Sequence, residues 1–194
     1  MIEKYKMYLK ALDKRFEKYF EAQKNYIFCK EGCSLCCEDS QYPYTEVEYR
    51  YLMLGVEQLE RNIWDTIAEN IERIKAEKSK CTDNAEFEYV CPFLINKKCC
   101  VYEHRGLICR RFGLAYFAEN NRVKVPYCVH HGLNYSNVYD TKTKMLSQEM
   151  FDATGFEVEP LAYNVSLKSL LKNEAVDYLE LDFGETRMLI DWFI

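Results

Sequence analysis

The amino-acid sequence predicts a mainly α, single compact domain over 1–194, with irregular cysteine loops stapled by metal and room for a small β element. Three observations carry that expectation. Long stretches repeat their apolar residues every three or four positions, the period of a helix with one buried face. The chain has 48% hydrophobic residues but seven Gly and four Pro, which allows a real core and few breaks in its helices. Ten cysteines, nine of them between positions 29 and 109, mark the part that helices alone do not account for.

Residues 1–28 form the N-terminal helix. Tyr5, Tyr8, Leu9, Leu12, Phe16, Tyr19, Phe20, Tyr26 and Ile27 make its apolar stripe, with Lys and Glu between them. The helix leads into Cys29, and Gly32 is where the chain can turn. After Pro43, Thr45 followed three residues later by Glu48 reads as a capping box that opens a second helix, ending near Gly55. Leu59, Ile63, Ile67, Ile71 and Ile74 continue as a third helix to about Ser79. Asn96-Lys97-Lys98 is turn chemistry between two cysteines. Leu107 to Tyr116 reads as strand or short helix, and Arg122 to Tyr127 alternates as a strand would. The extension over 135–194 is helical or mixed, with helices expected at Met145 to Ala153 and Ser166 to Tyr178 and a strand or helix at Glu185 to Phe193.

Charge and composition exclude several classes of partner. A net charge of −5 offers no summed positive field for nucleic acid or an anionic membrane. No run of 18 apolar residues occurs, so no conventional spanning helix is expected. The first twenty residues interrupt their apolar positions with charges and lack the central block of a signal peptide, so a soluble, cytoplasmic chain is expected. Its partner is then an unidentified protein or small molecule, with no nucleic acid and no membrane.

In a reducing compartment, ten cysteines point to metal rather than to disulfides. Cys29, Cys33, Cys36 and Cys37 place four thiols in nine residues, and Cys91, Cys99, Cys109 and Cys128 add four more. Scattered buried cysteines pack as small hydrophobes, whereas close spacing is what tetrahedral thiolate ligation requires. Adjacent Cys36 and Cys37 are expected to point apart and to serve different ligand sets. The choice between zinc and iron, and between one centre and two, stays open, because thiolates serve both metals; a [4Fe–4S] cluster is one form. Arg105, Arg110 and Arg111 flank Cys109 and are placed to offset thiolate charge. Cys81 and Cys100 fall outside the clean spacings and are read as packing residues, with Cys99 and Cys100 able to exchange roles. His104, His130 and His131 are further candidate ligands, His131 at Cys-x-x-His spacing being the best of them.

The combination Cys29-x-x-x-Cys33-x-x-Cys36-Cys37, Cys91-Pro92-Phe93-Leu94, Cys99 with Val101-Tyr102, and Arg105-x-x-x-Cys109-Arg110-x-Phe112 resembles the YkgJ-type CxxxCxxCC cysteine-cluster family, described as zinc- or iron-chelating. The resemblance implies an eight-cysteine metal site at Cys29, Cys33, Cys36, Cys37, Cys91, Cys99, Cys109 and Cys128. Members usually read Arg-Pro before the seventh cysteine, where this chain has Arg105-Gly106. Flagellin lysine-N-methylases carry a similar cluster, so the resemblance also implies an alternative: iron–sulfur-dependent lysine methylation with S-adenosylmethionine. The Cys29-x-x-x-Cys33-x-x-Cys36 spacing is shared with radical S-adenosylmethionine enzymes, but a long helix precedes it and the βα alternation of their barrel is missing. A thiol redox sensor or metal-trafficking protein is the remaining alternative. No nucleophile, catalytic residue or nucleotide site stands out, so whether the chain is an enzyme stays open.

Overall fold

The computed structural model describes residues 1–30, 32–38, 41–81 and 87–194. The chain is mainly helical. In chain order the helices are α1 (Ile2–Ala22), α2 (Leu35–Glu38), α3 (Glu46–Val56), α4 (Arg61–Lys78), α5 (Leu107–Arg111), α6 (Gln148–Thr154), α7 (Leu167–Leu171) and α8 (Glu174–Leu179). The strands are β1 (Pro43–Thr45), β2 (Leu94–Ile95), β3 (Lys98–Cys99), β4 (Tyr116–Phe117), β5 (Val123–Lys124), β6 (Tyr139–Asp140), β7 (Met145–Leu146) and β8 (Thr186–Met188). They pair as two-stranded sheets, β1 with β8, β2 with β3, β4 with β5 and β6 with β7. Among the described residues no helix is long and apolar enough to cross a membrane.

The chain divides into two compact units. The first contains Met1–Ile2, Gly32–Cys109 and Asp182–Ile194, and the second contains Glu3–Glu31 and Arg110–Leu181.

In the first unit, α3 begins as its sequence requires. The Thr45 hydroxyl accepts from the Glu48 amide at 3.3 Å while the Glu48 carboxylate accepts from the Thr45 amide at 3.0 Å, the reciprocal capping box. Gly55 lies in the last turn of α3 rather than after it, for a packing reason: a Cβ there would stand 2.6 Å from the His104 ring. α4 buries Ile67, Ile71 and Ile74, the stripe expected from its period, and its C-cap is Ser79. These side chains pack with Tyr44, Leu52, Val56, Phe93, Val101, Leu189 and Ile190 into one core. Asn96 and Lys97 both take positive φ, 51° and 60°, making the tight turn that joins β2 to β3. The segment expected as strand or helix at 185–193 is both: β8 pairs with β1, Tyr44 opposite Arg187, and a 3-10 turn over Leu189–Phe193 follows.

In the second unit, α1 buries Tyr5, Tyr8, Leu9, Leu12 and Phe16, and the Tyr8 hydroxyl donates to the Leu170 carbonyl at 2.6 Å. A second core gathers Tyr26, Ala115, Val129, Tyr135, Val138 and Tyr139. The helix expected over Ser166 to Tyr178 is broken in two. Asn173 accepts from the amides of Ala175 and Val176 and donates to the Ser169 and Leu170 carbonyls, ending α7 and starting α8 with one side chain.

Candidate metal centre

Different stretches of the first unit bring thiols to one place. Cys36 and Cys37 sit on α2, Cys91 precedes the β2–β3 hairpin, Cys99 is on β3 and Cys109 is on α5. The Cys91 amide donates to the Cys37 carbonyl at 2.7 Å, which pins the hairpin's approach to α2. Cys37 lies close enough to Cys36, Cys91 and Cys109 to feel their charge, Cys91 feels Cys109, Cys99 and Cys100, and Cys109 feels Cys99 and Cys36. All ten cysteines are free thiols.

The Cys36 and Cys37 sulfurs are 4.0 Å apart, so they do not diverge as the sequence suggests. Their Cβ directions do differ on the helix, but each sulfur stands one rotatable bond further out and can swing back. This separation is twice a disulfide's S–S length of about 2.0 Å. It is close to the ~3.8 Å edge of a tetrahedron with Zn–S bonds of about 2.3 Å. The donor chemistry therefore fits a thiophilic metal. A finished cage is not present: among the described residues no group of three or more His, Cys, Asp or Glu side chains is arranged to hold a metal ion.

Burial sets the protonation of these thiols. It pushes Cys91 well above the ordinary thiol range, with neighbouring Cys109 adding to the effect, and pushes Cys100 and Cys109 each up to about 12. For Cys37 the hydrogen bond with Cys36 is the largest cause of its rise, ahead of burial. Cys99 is also raised by burial, and Arg105 opposes the rise. As metal-free thiols they are neutral at physiological pH, and any metal must displace their protons.

The flanking arginines part company. Arg105 belongs to the unit with the thiols, where its guanidinium lies 3.5 Å over the Tyr102 ring and acts on Cys99. Arg110 and Arg111 belong to the second unit, where Arg110 pairs with Asp13 at 2.8 Å and Arg111 lies 4.0 Å over the Tyr116 ring. Of the expected ligands, Cys33 lies in the first unit and is exposed, while Cys29 and Cys128 lie in the second. There, the buried Asn134 side chain accepts from the Phe28 and Cys29 amides at 2.7 and 3.1 Å and donates to the Cys29 sulfur at 3.2 Å. Cys128 is buried in the 3-10 turn that leads to Asn134. His104 stacks near Tyr51 in the first unit, and His131 shares a 2.9 Å hydrogen bond with Tyr127 in the second.

Residues that spacing does not single out surround the thiols. Tyr42 donates to the Cys36 carbonyl at 2.5 Å. The Tyr44 hydroxyl lies 3.5 Å from the Cys109 sulfur and accepts from the Gly106 amide at 3.0 Å. Glu48, 1% exposed, accepts from the Leu107 amide at 2.7 Å at the start of α5. Cys100, read from spacing as packing, is among the thiols that act on Cys91. The capping box in the sequence was the signal for Glu48, because it turns that side chain back toward the helix start and into the unit's interior.

Comparison with known proteins finds no matching family model, no matching curated protein and no matching solved structure.

Proposed function

We propose that the chain is a metal-binding protein that chelates zinc or an iron–sulfur cluster through cysteines of its first unit. Cys36, Cys37, Cys91, Cys99 and Cys109 are the central ligands, with Cys100 acting on Cys91 and with Cys33 exposed in the same unit. The observation that carries the reading is a set of free thiols gathered from separate stretches of chain, two of them at nearly the spacing of sulfurs on one tetrahedral ion. The bound centre would supply a cross-link between α2, the β2–β3 hairpin and α5. Arg105 beside Cys99 and the Tyr44 hydroxyl beside Cys109 provide the positive charge and the donor that an anionic thiolate centre needs.

Protein purified under reducing, oxygen-free conditions and analysed for metal by plasma mass spectrometry tests this. Stoichiometric zinc, or iron with a visible absorption band, is expected. Paired substitution Cys36→Ser with Cys109→Ser should abolish it, while Cys81→Ser should leave it unchanged. Protein that carries no metal and takes up neither zinc nor iron with sulfide would refute the reading.

A further inference from the structure

Tyr44 stands apart from the other aromatic residues around the thiols because both ends of its side chain are fixed. Its backbone is held by pairing with Arg187 across β1 and β8 and by the Trp192 indole, which donates to the Tyr44 carbonyl at 3.0 Å. Its ring is buried in the core. The phenol oxygen accepts from the Gly106 amide at 3.0 Å and faces the Cys109 sulfur at 3.5 Å, within reach of an O–H···S hydrogen bond.

The loop carrying these groups is itself clamped. The Glu48 carboxylate takes the next amide, Leu107, at 2.7 Å, while its other oxygen takes the Thr45 amide and hydroxyl at 3.0 and 2.8 Å. Gly106 permits the close approach. A Cβ there would lie 2.7 Å from the Tyr44 ring and 2.9 Å from the Glu48 carboxylate. Two consecutive amides, Gly106 and Leu107, are thus bound by two side chains, Tyr44 of β1 and Glu48 of α3, and Cys109 follows two residues later.

Resting on the metal reading above, we infer that Tyr44 is a positioning residue for the thiolate centre, its phenol held by the Gly106 amide so that the O–H proton points at the Cys109 sulfur. The direction follows from proton counting. A phenol has a single proton and accepts through its lone pairs, and one of these already receives the Gly106 N–H. A metal-bound sulfur has no proton to give, so the hydrogen shared between Tyr44 and Cys109 must be the phenol's. Such a bond draws negative charge from the Cys109 sulfur and fixes its orientation, which is how neighbouring donors tune a thiolate ligand. Cys109 is then anchored by a side-chain donor, whereas Cys91 and Cys99 take hydrogen bonds from the backbone at Phe93 and Val101.

Tyr44→Phe removes one oxygen and keeps the ring. Two measurements read its effect. In the metal-free, reduced protein, the Gly106 amide, which loses its acceptor, should exchange with solvent at least tenfold faster. In the cobalt(II)-loaded protein, the thiolate-to-metal charge-transfer band should move to lower energy at unchanged stoichiometry, which a purely structural role would not cause. An unchanged Gly106 exchange rate overturns the phenol's hold on that amide, and an unshifted charge-transfer band overturns its role at the metal. Wild-type protein that takes up no cobalt would overturn the metal reading and the tuning role with it. The exchange data would then still decide whether the Tyr44 phenol holds the Gly106 amide, so the two failures are distinguishable.

Discussion

Glu48→Gln is the most direct probe of what organises the first unit. The wild-type side chain is 1% exposed and uses both oxygens as acceptors, one for the Leu107 amide and the other for the Thr45 amide and hydroxyl. Glutamine keeps the shape but has one oxygen, and its NH2 group must face either the Leu107 N–H or the Thr45 N–H. One buried amide therefore loses its acceptor. Hydrogen bonds to a charged group are worth about 1.5–3 kcal/mol each. Burying a neutral amide in place of a charge returns part of that. The expected net loss is about 2 kcal/mol, or a urea midpoint lowered by about 1 M for a slope near 2 kcal/mol per molar. Both tryptophans, Trp64 and Trp192, lie in the first unit, so tryptophan fluorescence in urea follows the transition of the unit that carries the change. Thr45→Ala removes only the N-cap half of the box and should cost about 1 kcal/mol. An unchanged midpoint for Glu48→Gln, or a loss no larger than that of Thr45→Ala, would show that the carboxylate does not clamp the Leu107 amide.

Other outcomes follow from the same geometry. Because the proposed ligands lie in the first unit, Cys29→Ser and Cys128→Ser in the second should leave the metal content of purified protein unchanged; loss of metal in either would overturn that assignment of ligands. In the second unit, burial raises the Tyr135 phenol, whose hydroxyl has no hydrogen bond of ordinary geometry among the described residues. Because the folded state then holds that proton more tightly than the unfolded chain, stability is fully present below the unfolded tyrosine value of about 10 and falls as pH rises above it. Circular dichroism of the metal-free protein should show alkaline unfolding, shallower in Tyr135→Phe, and an equal slope in both would refute this. The same substitution should leave neutral-pH stability unchanged or improved, since it deletes a poorly satisfied polar group.

Helices were legible in the sequence wherever one face is buried and the other solvated. The stripe of α4, Ile67, Ile71 and Ile74, and its end at Ser79 follow from the apolar period and the local composition. The capping box before α3 was equally readable, because both of its partners lie within four residues. The division of 166–178 into α7 and α8 was not. Apolar spacing runs through it, and only the Asn173 side chain, which competes for backbone groups on both sides, breaks it. Cysteine spacing identified the thiols but not their grouping. Whether Cys100 faces Cys91, or Cys29 meets Asn134, depends on contacts between residues far apart in the chain, and no local pattern records these. Tyr42 and Tyr44 were hidden for a related reason: an apolar ring reads as core, and the use of its hydroxyl shows only once its neighbours are placed.

Gly106 shows why the surroundings of a ligand can carry more information than its spacing. The cysteine-cluster pattern that the sequence resembles reads proline after arginine at this place, and Arg105, at φ −65° and ψ 153°, already has the extended backbone that a following proline demands. Proline would have no N–H for the Tyr44 phenol, and its ring would enter space that Tyr44 and Glu48 occupy. Glycine at 106 and tyrosine at 44 are thus a matched pair, and their energies should be coupled. Gly106→Ala alone forces a methyl group to within 2.7 Å of the Tyr44 ring and should cost about 1–3 kcal/mol by overpacking. Tyr44→Leu alone opens a cavity in the core. Combined, the methyl group enters the space that the ring has left, so the double variant should be more stable than the sum of the single losses by at least about 1 kcal/mol. Strict additivity in urea denaturation would mean that the two residues do not share one space, and the anchoring of Cys109 through Tyr44 would fail with it.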